Sequence, residues 1–187
     1  MQVAILLPRH KLTVEHYHKM AEAGILTTLD RVELIEGELI DMAPIGSKHA
    51  TRVDYLNRLL VKQVRDDHLV RVQNPVRLGK HSEPQPDIAI VHNRRYSKAH
   101  PVPKDVLLLV EVVDTTVQYD REIKIPLYAR HHIPEVWLLD LPMVRLEIYL
   151  QPGKGGYRQM LRPEFEETIS PSLVPEVSVR IVELFER

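Results

Sequence analysis

The chain has 187 residues and a formal net charge of −1 at pH 7, so it lacks the overall positive charge of a dedicated non-specific DNA-binding protein. It contains no cysteine, which excludes disulfide bonds and thiolate zinc sites. Its composition, 44% hydrophobic and 27% charged residues, is typical of a globular protein, and its length predicts a single domain over residues 1–187.

The sequence also predicts where the protein acts. No apolar run approaches the roughly 20 residues that a membrane-spanning helix needs, so we expect no membrane partner. The first residues, Met1 to Pro8, contain a short apolar stretch and no basic leader, so we expect no signal peptide. The absence of cysteine fits a reducing compartment, and we expect a cytoplasmic protein.

The first predicted element is a short helix from Val14 to Ala23. Thr13 precedes it as a hydroxyl N-cap, and Gly24 follows it as a helix terminator. His16 and His18 lie two positions apart and cannot share one helix face. We therefore interpret them as surface residues and not as a metal-binding pair.

The next two predicted elements are a β-hairpin and the longest helix. The hairpin runs from Arg31 to Met42, with Glu36 and Gly37 at its turn because glycine supplies the positive φ needed there. The helix runs from Ser47 to Arg65, with Ser47 as its N-cap. Its apolar stripe has the period of a helix that packs on a sheet and comprises Val53, Leu56, Leu60 and Val64.

Four strands are predicted for the central sheet. They are Val70 to Leu78, Gln85 to Val91, Val106 to Val113 and Glu135 to Asp140. The second and third are nearly continuous apolar runs, so we expect them to be buried on both faces. Pro75 predicts an edge or a bulge in the first strand, because proline cannot donate to the hydrogen-bond ladder.

A helix is predicted between the third and fourth strands. We expect it to begin near Glu122, because Pro126 would cost roughly 3 kcal/mol in a helix interior but little in a first turn. Lys124 and Tyr128 lie four residues apart and would share one face of this helix.

The remaining chain is predicted to form a second β-hairpin and an apolar tail. Met143 to Leu150 and Tyr157 to Leu161 flank a glycine-rich turn and would extend the sheet. The segment from Val177 to Phe185 would pack on the body of the protein or on a second subunit. The order of elements predicts an α/β (α+β) fold with a mixed central β-sheet, flanking helices and extra β-hairpins.

Two of the apolar strands each carry one carboxylate, Asp87 and Glu111. A buried carboxylate needs a cation or several hydrogen-bond donors in place of its lost hydration. Asp87 begins one strand and Glu111 lies near the end of the other, so the two acids can meet at one rim of the sheet. A site with only oxygen ligands suits Mg²⁺ and reactions at phosphate groups. Lys124 would add a positive charge beside this site.

These residues are similar to a known superfamily. The pair Pro86-Asp87, the strand acid Glu111 and the downstream Lys124 resemble the PD-(D/E)XK nucleases. Longer sequence segments resemble the Uma2 family of this superfamily, and together they cover most of the chain. The matching positions are Glu33 to Leu39, His49, Glu111 to Val113, Asp120 to Tyr128, Ile133 to Asp140 and the tail from Thr168 to Phe185.

The resemblance implies a restriction endonuclease-like fold and a Mg²⁺-dependent (or Mn²⁺-dependent) endonuclease that hydrolyses DNA phosphodiester bonds. In such nucleases the two acids, here Asp87 and Glu111, hold the metal with a main-chain carbonyl, here that of Val112. Lys124 is then the cation that orients or deprotonates the attacking water. Three further residues become accessory candidates: Glu33, His49 and Tyr128.

The chain also departs from the family pattern. The superfamily lysine stands two residues after the strand acid, where this chain has Val113, so we interpret Lys124 as a migrated lysine. The family's Ser-Pro stretch is replaced by residues 114–116, and its glycine before the fourth strand by His132. Val113 and the near-neutral charge leave an alternative open, a non-catalytic nucleic-acid or protein-interaction module that retains the nuclease fold.

Two further expectations concern macromolecular partners. The basic loop after the second strand is a candidate nucleic-acid contact through Arg94, Arg95 and Lys98, with Tyr96 as a base-stacking residue. A mobile surface loop is the alternative interpretation. Because cutting both strands of a duplex needs two sites, a homodimer is also expected by analogy.

Overall fold

The structure, a computed structural model, describes residues 9–185; residues 1–8, to which the signal-peptide expectation refers, lie outside it. Its helices are α1 (Val14–Glu22), α2 (Ser47–Gln63), α3 (Val117–Tyr119), α4 (Ile125–Arg130) and α5 (Ile181–Phe185), with a 3₁₀ turn at Pro103–Asp105 and a π turn at Asp120–Lys124. Its strands are β1 (Val32–Ile35), β2 (Glu38–Asp41), β3 (His68–Val72), β4 (Ile88–His92), β5 (Val106–Val113), β6 (Glu135–Asp140), β7 (Arg145–Gly153), β8 (Gly156–Leu161), β9 (Thr168–Ile169) and β10 (Val179–Arg180).

The centre of the fold is a six-stranded sheet in the order β3-β4-β5-β6-β7-β8. Strands β5 and β6 are parallel, and the other neighbouring pairs are antiparallel. A parallel pair needs a crossover connection, which the helical segment between β5 and β6 provides. The predicted mixed sheet flanked by helices, with an additional β1–β2 hairpin, is confirmed.

Both faces of β5 are covered, because every residue from Val106 to Val113 is buried. One face packs with Leu56 and Leu60 of α2 and with the C-terminal segment. The other packs with Leu127 of α4 and its neighbours. Burial on both sides explains why this strand is continuously apolar in sequence.

The apolar tail packs on the body of the protein, the first of its two predicted places. Val177, Val179 and Leu184 are buried in the same core as α2. The hydroxyl of Tyr55 donates to Glu183 Oε2 at 2.8 Å, which fastens α5 to α2.

The first hairpin turns where the sequence predicts. Glu36 has φ 49° and Gly37 has φ 86°, and positive φ at both central residues is the type I′ turn that matches strand twist. A side chain at Gly37 would also collide with Lys11, whose Cβ lies 2.6 Å from an ideal Cβ position. Glycine is therefore required here for both reasons.

The N-cap of α2 and the extent of the first core strand differ from the prediction. Gly46, and not Ser47, is the N-cap of α2, and it makes no side-chain cap hydrogen bond. The first core strand is His68–Val72, because the chain turns at Gln73 with φ 49° before Pro75.

Within residues 9–185 no helix combines the length and the apolar character needed to cross a bilayer.

The helical segment between β5 and β6 begins at Val117, five residues before the predicted start at Glu122. Pro126 therefore lies inside a helix, and the π turn accommodates it. The N–H of Ile125 bonds to the carbonyl of Asp120, five residues back, which opens the turn that a proline ring would otherwise strain.

Candidate active site

Strand pairing brings the two predicted acids to one end of the sheet. In the antiparallel register of β4 and β5, Ile88 lies opposite Val110. Asp87 precedes Ile88 and Glu111 follows Val110, so both side chains belong to the same rim. They line a cleft of about 550 Å³ together with Lys124.

Three donors hold the carboxylate of Asp87. His49 Nε2 lies 2.8 Å from Oδ1 and Gln73 Nε2 lies 3.3 Å from it. The N–H of Val112 donates to Oδ2 at 2.9 Å. The hydrogen bond to Asp87 raises the pKa of His49. A carboxylate has about four lone-pair sites, so a position remains for a further ligand.

Glu111 is buried, and two groups contact the same oxygen of its carboxyl. Lys124 Nζ lies 2.8 Å from Oε1, and the hydroxyl of Tyr128 donates to Oε1 at 2.5 Å. Burial raises the pKa of Glu111 to about 8, although the charge of Lys124 acts to lower it. Neither contact occupies Oε2.

Lys124 is surrounded by acids. Besides Glu111, its Nζ lies 3.6 Å from Glu33 Oε2 and 3.9 Å from Asp120 Oδ1. Burial alone would lower the pKa of Lys124, but these neighbours, Glu111 first among them, raise it well above its usual value. The ammonium is therefore charged at neutral pH, and Asp87 brings a fourth acidic side chain to the same cleft.

The π turn and the preceding α3 contribute residues that the sequence prediction missed. Asp120 accepts a hydrogen bond from Thr116 Oγ1 at 2.7 Å, and burial raises its pKa. The hydroxyl of Tyr119 donates to Glu33 Oε1 at 3.1 Å. The spacing of Asp120 four residues before Lys124 is the sequence signal that could have identified it.

The donor set fits a hard divalent cation. Asp87 and Glu111 supply carboxylate oxygens, the ligand type that Mg²⁺ prefers. In an extended strand the N–H and C=O of one residue point to the same side, and the N–H of Val112 points to Asp87. The carbonyl of Val112 therefore faces the acids beyond the start of β4, where no ladder partner from β4 competes for it.

The position two residues after the strand acid, where the nuclease pattern has a lysine, is occupied here by the buried Val113. Val113 shares a face of β5 with Glu111 and packs in the apolar core with Ile125 and Leu127. A lysine on this face would have to leave that core to reach the rim. Lys124 instead brings an ammonium to Glu111 from the opposing π turn.

The basic loop after β4 lies away from the cleft. Asp87 precedes β4 and the loop follows its other end, and a strand of this length spans roughly 17 Å. Arg94 forms an ion pair with Asp105 at 2.9 Å. Arg71 lies over the ring of Tyr96, 5.4 Å from its centroid, so one face of the predicted stacking residue is occupied. Nucleic-acid contact by Arg94, Arg95 and Lys98 stays a prediction.

Comparison with known proteins agrees with this architecture. A family model described as Uma2, putative restriction endonuclease, matches residues 14–182. A solved structure with a TM-score of 0.67 and 17% identity is described as a putative nuclease belonging to DUF820 from Anabaena variabilis. The match covers 93% of this chain and 97% of that one, and at this identity it shows the fold alone. No curated protein matches.

Proposed function

Because the chain belongs to the Uma2 family of putative restriction endonucleases, we propose that it is a divalent-metal-dependent endonuclease that hydrolyses phosphodiester bonds of DNA. The observation that carries the proposal is the meeting of Asp87, Glu111 and Lys124 in one cleft. Two acids and an ammonium at one strand end are the groups that metal-assisted phosphodiester hydrolysis requires.

Asp87 and Glu111 would hold Mg²⁺ or Mn²⁺ with the carbonyl of Val112. When bound, the ion supplies an activated water and stabilises negative charge on the scissile phosphate. His49 positions Asp87 through its 2.8 Å hydrogen bond. Tyr128 positions Glu111 in the same way, through the hydrogen bond that its hydroxyl donates to Oε1.

Lys124 acts as an orienting cation and not as the base. Its three acidic neighbours, Glu111, Glu33 and Asp120, hold the proton on its ammonium, so it can donate a hydrogen bond to the attacking water but cannot take its proton. The same charge would lie near the developing negative charge of the phosphate. Charge stabilisation of this kind is commonly a large part of catalysis.

The excess of carboxylates explains why a metal ion would be needed for substrate binding as well. Six acidic residues line the cleft, against the cations Lys124 and Arg31, so an incoming DNA phosphate meets net repulsion. A divalent cation reverses the sign of this interaction. Arg31, which also lines the cleft, would add a contact to the phosphate backbone.

The test is cleavage of supercoiled plasmid by the purified protein in Mg²⁺ or Mn²⁺. We expect nicking that requires the metal and is lost in Asp87→Asn. Asp54→Asn is the matched control, because it removes the same charge from an exposed position of α2 and should leave cleavage unchanged. Cleavage that persists in Asp87→Asn would reject the site.

The same preparation distinguishes the alternative function. DNA binding without cleavage, together with calorimetry that detects no Mg²⁺ or Mn²⁺ binding, would favour a non-catalytic interaction module. Light scattering on the sample tests the expected dimer.

A further inference from the structure

Three side chains outside the cleft form a separate cluster of metal-ligand type. They are His18 on α1, Glu83 in the segment before β4, and His100 in the loop after β4. One ligand atom from each lies within 4.8 Å of the other two. The histidine rings of His18 and His100 are 6.1 Å apart between centroids and meet edge to face.

Glu83 is unusual because its carboxyl group is buried while only one of its two oxygens has a hydrogen-bond partner within the described residues. Its relative exposure is 2%. Oε1 contacts His18 Nε2 at 2.7 Å, but Oε2 is buried and has no hydrogen-bond partner within the described residues. Buried carboxylate oxygens are normally paired, so an unpaired one marks a position that can take a ligand.

We propose that His18, Glu83 and His100 form a second metal site, selective for a zinc-type divalent cation. Two imidazoles and one carboxylate are a ligand set typical of Zn²⁺, with a water in the fourth position. Zinc bonds of about 2.0–2.2 Å would place the three ligand atoms roughly 3.3–3.5 Å from one another, inside the 4.8 Å within which they already lie.

The surroundings allow an ion to enter the cluster and offset part of its charge. The side chain of His18 is 45% exposed, which gives an ion access from solvent. Glu83 supplies the negative charge that offsets the cation.

The two sites differ in chemistry and would select different ions. The cleft offers oxygen atoms and suits Mg²⁺ or Mn²⁺, whereas the cluster offers imidazole nitrogens and suits Zn²⁺. The cluster ion would join α1, the segment that leads to Asp87, and the loop that carries Arg94. Glu83 is already fixed there, because its N–H donates to the carbonyl of Leu34 at 2.7 Å.

The experiment isolates the cluster in the Asp87→Asn/Glu111→Gln double variant, which lacks the acids of the cleft. Calorimetric titration with Zn²⁺ in the presence of Mg²⁺ should show one equivalent per chain. Titration with Co²⁺ should produce the visible absorption of a four-coordinate ion. Zn²⁺ should also raise the melting temperature, because it binds the folded state.

Substitutions of the ligands complete the test. In this background His18→Gln, Glu83→Gln and His100→Gln should each weaken Zn²⁺ binding by more than about 10–100-fold, the loss caused by removing even an outer partner of a ligand. His10→Gln, at an exposed position before α1, is the control and should bind as the parent does.

Two results would overturn the proposal: no Zn²⁺ binding by the parent double variant, or unchanged affinity in His18→Gln. The second is decisive even if the more buried variants fail to fold, because His18 is half exposed and circular dichroism can verify its helix. Neither result depends on cleavage, so the metal cluster and the proposed nuclease function can fail separately.

Discussion

The ammonium of Lys124 lies 2.8 Å from Glu111 Oε1, although the two residues come from different elements. Glu111 belongs to β5, and Lys124 to the π turn that packs on it. This contact places a positive charge beside the strand acid, which Val113 cannot do. An ammonium therefore reaches the strand acid from outside the strand, as the interpretation of Lys124 as a migrated lysine requires.

Replacing Lys124 should separate metal binding from turnover. We expect Lys124→Gln to lower the single-turnover cleavage rate by about 10²–10³-fold, the typical loss of one stabilising donor. Mn²⁺ affinity should not fall, because the ammonium no longer competes for Glu111. Rapid-quench cleavage and calorimetry measure the two effects. Lys62→Gln, exposed on α2, is the control; equal cleavage by both variants would contradict the assigned role.

The raised pKa of Glu111 predicts how stability depends on pH without metal. The folded protein holds this proton up to about pH 8, whereas the ordinary value is 4.5. The unfolded chain thus releases a proton that the folded chain keeps. Stability from this group is full below pH 4.5 and is lost as pH rises toward about 8.

Urea unfolding in a chelator across this pH window provides the measurement. The free energy of unfolding should decline with pH in the wild type and decline less in Glu111→Gln. Glu22→Gln, exposed on α1, should follow the wild type. Parallel curves for all three proteins would show that Glu111 titrates normally.

The strands and the rim acids were predictable because their signal is local. Continuous apolar character marks β4 and β5 as buried on both faces, and Asp87 and Glu111 stand at the ends of those runs. Both acids reach one rim whenever two such strands pair antiparallel. The roles assigned to them stay predictions until cleavage is measured.

The residues that the prediction missed depend on contacts distant in sequence. The π turn places Asp120 beside the predicted Lys124 in the cleft, whereas a helix that began near Glu122 would have left Asp120 outside it. From the sequence, His18 is interpreted as a surface residue because His16 cannot share its face of α1 as a second metal ligand. Its partners, Glu83 and His100, come from segments more than 60 residues away in the chain, at 83 and 100.

Removing Pro126 tests whether it maintains the π turn. Pro126→Ala restores an N–H that can bond to Glu122, four residues back, and favours a regular helix. We expect stability to be maintained or raised while cleavage falls, because the register of Asp120 and Lys124 shifts. Urea unfolding and plasmid cleavage measure the two outcomes. Unchanged cleavage would mean that tertiary contacts alone hold the turn. Pro142→Ala, at an exposed position in the turn before β7, is the control.

His132 predicts a stabilising substitution at the end of α4. Its N–H donates to the carbonyl of Ala129 at 3.0 Å, and that of Ile133 to Tyr128 at 3.1 Å, the hydrogen bonds of a Schellman motif. His132 has φ 59°, a left-handed conformation that costs a side-chain-bearing residue about 1–2 kcal/mol. Glycine adopts this conformation without that cost.

We expect His132→Gly to raise the free energy of unfolding by about 0.5–1 kcal/mol, because relief of the left-handed strain exceeds the entropy that glycine adds to the unfolded chain. His131→Gly is the matched control with the opposite sign. Its φ of −92° is open to any residue, so glycine there gains no relief and should destabilise the protein by a similar amount. Urea unfolding compares the two variants, and a loss of stability in both would refute the account of the helix end.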